Sequence, residues 1–348
     1  MTDNNDGLHT VEIHLEVLNE YLNGDYNELC INKPFELCTY THGHWEYVRM
    51  LELDYQWCEE LSRLVANFSG QPREPIISAE LPAGQRIEIT LPPVTETPSI
   101  TIRLPPKGKA FTLEDIIGFG SFQRTQWVQT RGISAEVRAE LNRELTPKER
   151  TLLELFKAKD VVGFLCTAVV EKQNIFFVGE TGSGKTALMN ALGHKIPETE
   201  RLITVEDTRE SRLPHRNQVN LKFTRSTDAS EKLRVKGVLA STLRQFPSRV
   251  LLAEIRGDEA YFFFQNVVNS GHPGTMASFH ANSPKMAFRR MANMIQASPE
   301  GSQLSQDLII KDLYMLINIV IQCERDEHGK PYVSQIYYDP EYAIQVAG

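Results

Sequence analysis

Hydrophobic and polar positions change their rhythm twice along the chain. Near the start, Val11, Leu15, Leu18 and Leu22 recur at helical spacing and predict an amphipathic helix. Two alternating pairs follow. Phe35–Thr41 and Trp45–Arg49 flank His42-Gly43-His44, and Pro75–Leu81 and Arg86–Leu91 flank Pro82-Ala83-Gly84-Gln85; both read as β-hairpins. Ser99–Leu104 adds a strand. Pro92-Pro93 and Pro105-Pro106 end these runs, because proline brings no N–H to a ladder. The pattern predicts an α+β domain over 1–125 with a mainly antiparallel sheet. Residues 126–145 are charged, with Arg131, Arg138 and Arg143 among acids and no long apolar stripe, and read as a linker with some helix. Thr146-Pro147-Lys148-Glu149 is a helix start with a capping box. Over 146–348, short apolar runs (Asn174–Val178, Leu202–Val205, Val250–Ala253) alternate with helical segments, the texture of a parallel sheet covered on both faces.

The length, 348 residues, suits about two domains, as this division has it. The apolar runs Val161–Val170 and Tyr314–Ile321 fall well short of the roughly 20 residues of a spanning helix, so no transmembrane segment is expected. The acidic start has no apolar h-region, so no signal peptide is expected. Net charge is −8 and unevenly placed. Residues 1–32 carry Asp3, Asp6, Glu12, Glu16, Glu20, Asp25 and Glu28 with no Lys or Arg, while the rest is nearly neutral. An acidic chain without a basic run argues against a dedicated nucleic-acid site. Cys30, Cys38, Cys58, Cys166 and Cys323 show no CxxC spacing and read as free thiols of a reducing compartment.

One motif carries explicit chemistry. Gly179-Glu180-Thr181-Gly182-Ser183-Gly184-Lys185-Thr186 fits GxxxxGK[ST] at every fixed position, between a predicted strand and a predicted helix. Backbone N–H groups of such a loop cradle phosphates, the lysine neutralises them, and Thr186 offers an oxygen to Mg²⁺. Hydrolysis of ATP also needs carboxylates. Two end apolar strands downstream: Glu206 with Asp207, and Glu254. In an open α/β sheet, strand carboxyl ends line the ligand crevice. Glu254 is therefore expected on the metal side, through water, and Glu206 as the base or water-orienting residue. A helix cap or solvated turn is the competing reading of Glu206 and Asp207. His272 and His280 flank a Gly/Pro loop and a strand-like run. They read as structural hydrogen-bonding residues or as sensors of a γ-phosphate; no further ligands at zinc spacing accompany them.

Taken together, GETGSGKT at 179–186, ITVEDTRE at 203–210, LRQFPSRVLLAEIRGDEA at 243–260 and SGHPGTMASFHANSP at 270–284 resemble the Walker A, Asp box, Walker B and His box of secretion traffic ATPases. Within that superfamily the chain resembles the hexameric hub ATPase of type IV secretion systems. AGQRIEITLPP at 83–93 and SITIRLPP at 99–106 are similar to its N-terminal domain. The resemblance implies a RecA-like motor with a separate N-terminal domain, a homo-hexameric ring, and nucleotide between the two domains. It implies catalytic roles for Lys185, Glu206, Glu254, Arg103 and His280, and nucleotide contacts from loop residues 179–186, Arg86 and His272. Arg103 would reach the phosphates across the domain interface, with 126–145 as hinge. Implied partners are inner-membrane channel proteins and a coupling protein, on the cytoplasmic face of a bacterial inner membrane. Ser248 and Ser278 depart from residues common in the family, Asp and Thr. No four-cysteine zinc module of the type II kind is seen. A type II secretion or pilus-assembly ATPase, a RecA-like nucleic-acid translocase and a non-catalytic nucleotide-switched hub are the alternatives.

Overall fold

Alternation in the first hundred residues becomes one antiparallel sheet. The computed structural model of the chain describes residues 3–41, 43–105, 109–224, 233–257 and 259–347. His42 of the first expected turn, Pro106 and Asp258 lie outside the described residues, as do the side chains of Asp3 and Asp6. Two compact units divide the chain, Met1–Lys109 and Ala110–Gly348.

In the first unit, α1 (Asp3–His14), a 3₁₀ turn (Leu15–Leu18) and α2 (Asn19–Leu22) replace the single expected helix. They still bury the predicted stripe, Val11, Leu15, Leu18 and Leu22. The strands are β1 (Glu28–Ile31), β2 (Glu36–Thr41), β3 (His44–Arg49), β4 (Ile76–Glu80), β5 (Arg86–Thr90) and β6 (Ser99–Arg103), with α3 (Tyr55–Phe68) between β3 and β4. Their order is β3-β2-β1-β6-β5-β4, antiparallel throughout. Both expected hairpins are present. Ile87, Ile89, Ile100 and Ile102 face the core with Leu61 and Val65 of α3. Because side chains alternate along a strand, Arg86 and Arg103 fall on the opposite face, directly across from each other in register.

The second unit is built on a larger sheet. Its elements are α4 (Leu113–Gly118), β7 (Gln126–Val128), α5 (Ala135–Leu141), α6 (Pro147–Ala158), α7 (Val161–Val170), β8 (Ile175–Gly179), α8 (Lys185–Gly193), β9 (Leu202–Glu206), β10 (Gln218–Lys222), α9 (Val235–Thr242), β11 (Arg249–Leu252), α10 (Glu259–Phe263), β12 (Met276–Phe279), α11 (Pro284–Gln296), α12 (Gln306–Leu316), β13 (Ile319–Arg325), β14 (Pro331–Tyr338) and α13 (Pro340–Ala347). Strand order is β10-β9-β11-β12-β8-β13-β14-β7. The run from β10 to β13 is parallel, as predicted; β14 enters antiparallel to β13, and β7 lies parallel to β14. Helices cover both faces: Leu152, Phe164 and Leu188 belong to the core on one side, and Leu239, Phe263, Phe288 and Leu313 to the core on the other.

The expected domain limits need correction. The divide falls after Lys109, not at 125, because Leu113, Ile116 and Phe122 are buried in the second unit's core. Nor is 126–145 a linker: β7 adds the last strand of the large sheet. Arg138 on α5 lies 2.8 Å from Asp339 and 2.7 Å from Glu341, both almost fully buried. A charged sequence reads as solvated. Its arginine is instead neutralised by carboxylates some 200 positions away, a pairing invisible to local pattern.

Candidate nucleotide site

The phosphate loop follows a strand buried at every position. Gly184, at φ 88°, turns the chain directly into α8, whose N-terminus carries no side-chain cap. The first-turn N–H groups of such a helix suit a phosphate acceptor. Gly179 is required for a different reason: a Cβ there would collide with the Cys323 carbonyl oxygen of β13. Lys185 is buried, and its Nζ donates to the Gly179 and Glu180 carbonyls at 2.8 and 2.6 Å. Ser183 Oγ donates to the Glu180 carbonyl at 2.8 Å. Thr186, the second residue of α8, is half-buried.

Parallel neighbours bring distant residues to this edge of the sheet. His280 lies one residue beyond β12. Its Nδ1 donates to the Gly179 carbonyl at 2.9 Å, and its Nε2 lies 2.9 Å from Glu254 Oε1. Glu254 follows β11, the next strand over. Arg256 approaches its other oxygen at 2.6 Å and Asp207 at 3.9 Å. Burial pushes the Glu254 carboxyl up, but the Arg256 hydrogen bond and charge, with His280 and Lys185, hold it below the ordinary carboxylate range. Arg256 also donates its backbone N–H to buried Glu259 at 2.8 Å. One arginine thereby ties the ends of β9 and β11 to the start of α10.

Glu206, at the end of β9, is almost fully buried. Its Oε2 accepts from the N–H groups of Glu210 and Ser211 at 2.6 and 3.1 Å. Its Oε1 is buried without a hydrogen-bond partner among the described residues. Both competing readings thus have a physical counterpart: one oxygen caps the following turn, and the other is left for a small donor.

The two histidines part company. His272 precedes β12, so it lies at the opposite edge of the sheet, where its carbonyl accepts from Thr275 and Thr275 N–H reaches Asn174 just before β8. The length of β8 separates it from the loop, about 16 Å at roughly 3.3 Å per residue. This geometry lends no support to the expected nucleotide contact between His272 and the phosphate loop of its own chain. Arg86 and Arg103 belong to the first unit, and Arg103 lies 4.0 Å from Glu28 in a half-exposed ion pair. Sequence reasoning missed one cation at the loop. Arg325, at the end of β13, places Nε 3.0 Å from Glu180 Oε1. No motif marks it; only the pairing of β13 with β8 brings it there.

Fold and loop together define a P-loop nucleotide-binding protein. The profile described as Type II/IV secretion system protein matches residues 153–331, and the chain belongs to this family. Its relatives within the family include VirB11 proteins. The type IV secretion system protein VirB11 of Brucella suis is 38% identical over 342 residues, 95% of this chain and 91% of the relative. VirB11 of Bartonella henselae is 37% identical over 318 residues, 90% and 88% of the two chains. The crystal structure of the Brucella suis VirB11 ATPase, solved with sulphate, aligns at 36% identity over 100% of this chain and 99% of that one, with a TM-score of 0.54.

Proposed function

We propose that this ATPase acts as a homo-hexameric ring that powers substrate translocation, pilus biogenesis or both by a type IV secretion machine. The observation that carries the reading is one continuous line of contacts: Lys185 and His280 both hold the Gly179 carbonyl, and His280 and Arg256 hold the two oxygens of Glu254. A change in what Lys185 holds is therefore felt at the carboxylate.

Lys185 would exchange the Gly179 and Glu180 carbonyls for the β- and γ-phosphate oxygens of ATP, while the uncapped first turn of α8 donates N–H groups. The Thr186 hydroxyl and, through water, the Glu254 carboxylate are hard oxygen donors of the kind Mg²⁺ takes. Among the described residues, no three or more His, Cys, Asp or Glu side chains form a metal cage. A site using one hydroxyl, phosphates and water needs none. Mg²⁺ held there would supply charge neutralisation. Glu254 holds its carboxylate ionised beside the loop, and the unpartnered Oε1 of Glu206 supports a water-orienting role. Arg103, with Arg86 beside it, would reach toward the phosphates from the first unit. The hinge role expected of 126–145 passes to the connection near Lys109, since 126–145 is part of the second unit's fold.

No helix among the described residues is long and apolar enough to cross a membrane. Attachment to the cytoplasmic face of an inner membrane would come through channel and coupling proteins. Steady-state phosphate release from Lys185→Ala tests the site. Turnover is expected to vanish, because positioning and charge neutralisation make up most of phosphoryl-transfer catalysis. A parent-like rate would remove the loop from the mechanism.

A further inference from the structure

The β13–β14 hairpin forms a wall of the phosphate loop. Three loop glycines abut it in turn: Gly179 against the Cys323 carbonyl, Gly182 with the Arg325 guanidinium, and Gly184 against the Pro331 ring. A Cβ on Gly182 would lie 3.7 Å from Arg325 Nη1, and one on Gly184 would lie 3.1 Å from Pro331 Cβ. The hairpin is braced by Val333 N–H donating to the Ser121 carbonyl at 2.8 Å and by Thr125 Oγ1 donating to the Val333 carbonyl at 2.7 Å. Of the wall's residues, Arg325 brings a fixed cation to the loop.

We infer that Arg325 is a nucleotide-binding residue of the same chain, a guanidinium that contacts the phosphates of bound ATP or ADP from the hairpin side. The inference rests on the nucleotide reading of the loop. Three observations carry it. Arg325 lies beside the glycine whose backbone lines the cradle. Its observed partner, Glu180, is itself a loop residue, at 3.0 Å. That pair is partly exposed, with 34% and 58% of the side chains accessible. Exposed pairs of this kind contribute little, so exchanging the carboxylate for a phosphate costs little. The planar fork of arginine suits two phosphate oxygens at once, which a lysine cannot match. Glu180 then acts as a placeholder, holding the guanidinium at the loop and yielding it to the ligand.

The alternative is that Arg325 acts only by tethering Glu180 and so shaping the loop. Titration of the full-length protein with a fluorescent ADP separates the two, with thermal melting as a check that each variant is folded. Arg325→Ala is expected to weaken ADP binding about tenfold, the worth of one charge-assisted hydrogen bond. Arg325→Lys should recover only part of that loss. Glu180→Gln should bind ADP more tightly than the parent, and that gain should disappear when Arg325→Ala is added. If Glu180→Gln weakens binding as much as Arg325→Ala does, the tether is the role and the inference fails. It also fails if folded Arg325→Ala binds within twofold of the parent. If the parent binds no ADP, the nucleotide reading itself is what fails.

Discussion

Arginine and glutamate meet at both ends of β11, with opposite consequences. At its start, Arg249 is fully buried. Two of its nitrogens lie 2.8 Å from the two Glu200 oxygens, and a third donor reaches the Val169 carbonyl at 2.7 Å. Lys172 adds a contact to Glu200 at 3.2 Å. Beyond its end, Arg256 and Glu254 meet at 2.6 Å, but 39% and 19% of their side chains are accessible, and Asp207 and His280 compete for them. The first pair is sealed and has one arrangement. The second stands at the open edge, where partners can be exchanged as the loop changes what it holds. The lesson is that charge chemistry alone does not mark a site; burial decides whether a pair is a fixed brace or a movable part.

The largest expected effect tests the open edge. Glu254→Gln should lower turnover by roughly 10²–10³, the usual worth of one charge-stabilising group beside a reacting centre, with ADP affinity retained. Glu206→Gln should cost less, since one of its oxygens is already committed to backbone N–H groups. Rate measurements in which Glu206→Gln is the more damaging would return the leading role to Glu206.

The sealed edge is tested next, by stability. Arg249→Ala leaves Glu200 buried with Lys172 alone and should cost about 3–5 kcal/mol in urea unfolding. A loss below about 1 kcal/mol would mean the brace is no stronger than a surface pair. The same pair sets a pH dependence. Burial pushes the Glu200 carboxyl up, but the hydrogen bond and charge of Arg249, then Lys172, outweigh it and hold the group below its ordinary range. Its stabilisation is therefore complete above the unfolded value of about 4.3 and fades as pH falls through the lower folded value. Acid unfolding should be steeper below about pH 4 in the parent than in Arg249→Ala; parallel curves would break the assignment.

The smallest contrast is between the histidines. His280→Ala removes a contact shared by the loop and Glu254 and should lower kcat roughly tenfold. His272→Ala, at the sealed edge, should leave the nucleotide affinity of a single chain unchanged. Nucleotide titration that shows equal losses in both would put the two back in one site. Gly274 explains why the loop carrying His272 is glycine-rich: a Cβ there would lie 2.6 Å from Arg249 Nη1, so the segment is shaped by the brace.

Several of these residues were legible before any fold was known, and several were not. Lys185, Thr186 and the glycines announce themselves because a phosphate cradle is made of contiguous backbone. Glu206 and Glu254 could be read because each ends an apolar run, and strand ends in a parallel sheet share one edge. His272 and His280 looked equivalent, eight positions apart, but β12 passes between them and carries them to opposite edges. Arg138 looked solvated, yet Asp339 and Glu341 neutralise it. Strand β1, four residues long, and helix α3 were not foreseen, and it is β1, paired with β6, that ties the first hairpin into the sheet.

What the sequence determined by itself is what local chain chemistry dictates: the loop, the helix start at Thr146, and alternation in the first sheet. Tertiary structure decided which distant charges meet. Arg325 comes to Glu180, and Arg256 to Asp207, because parallel strands place residues far apart in sequence at one edge. Strand order and register are set by burial of both sheet faces, a property of the whole core that no short window of sequence contains.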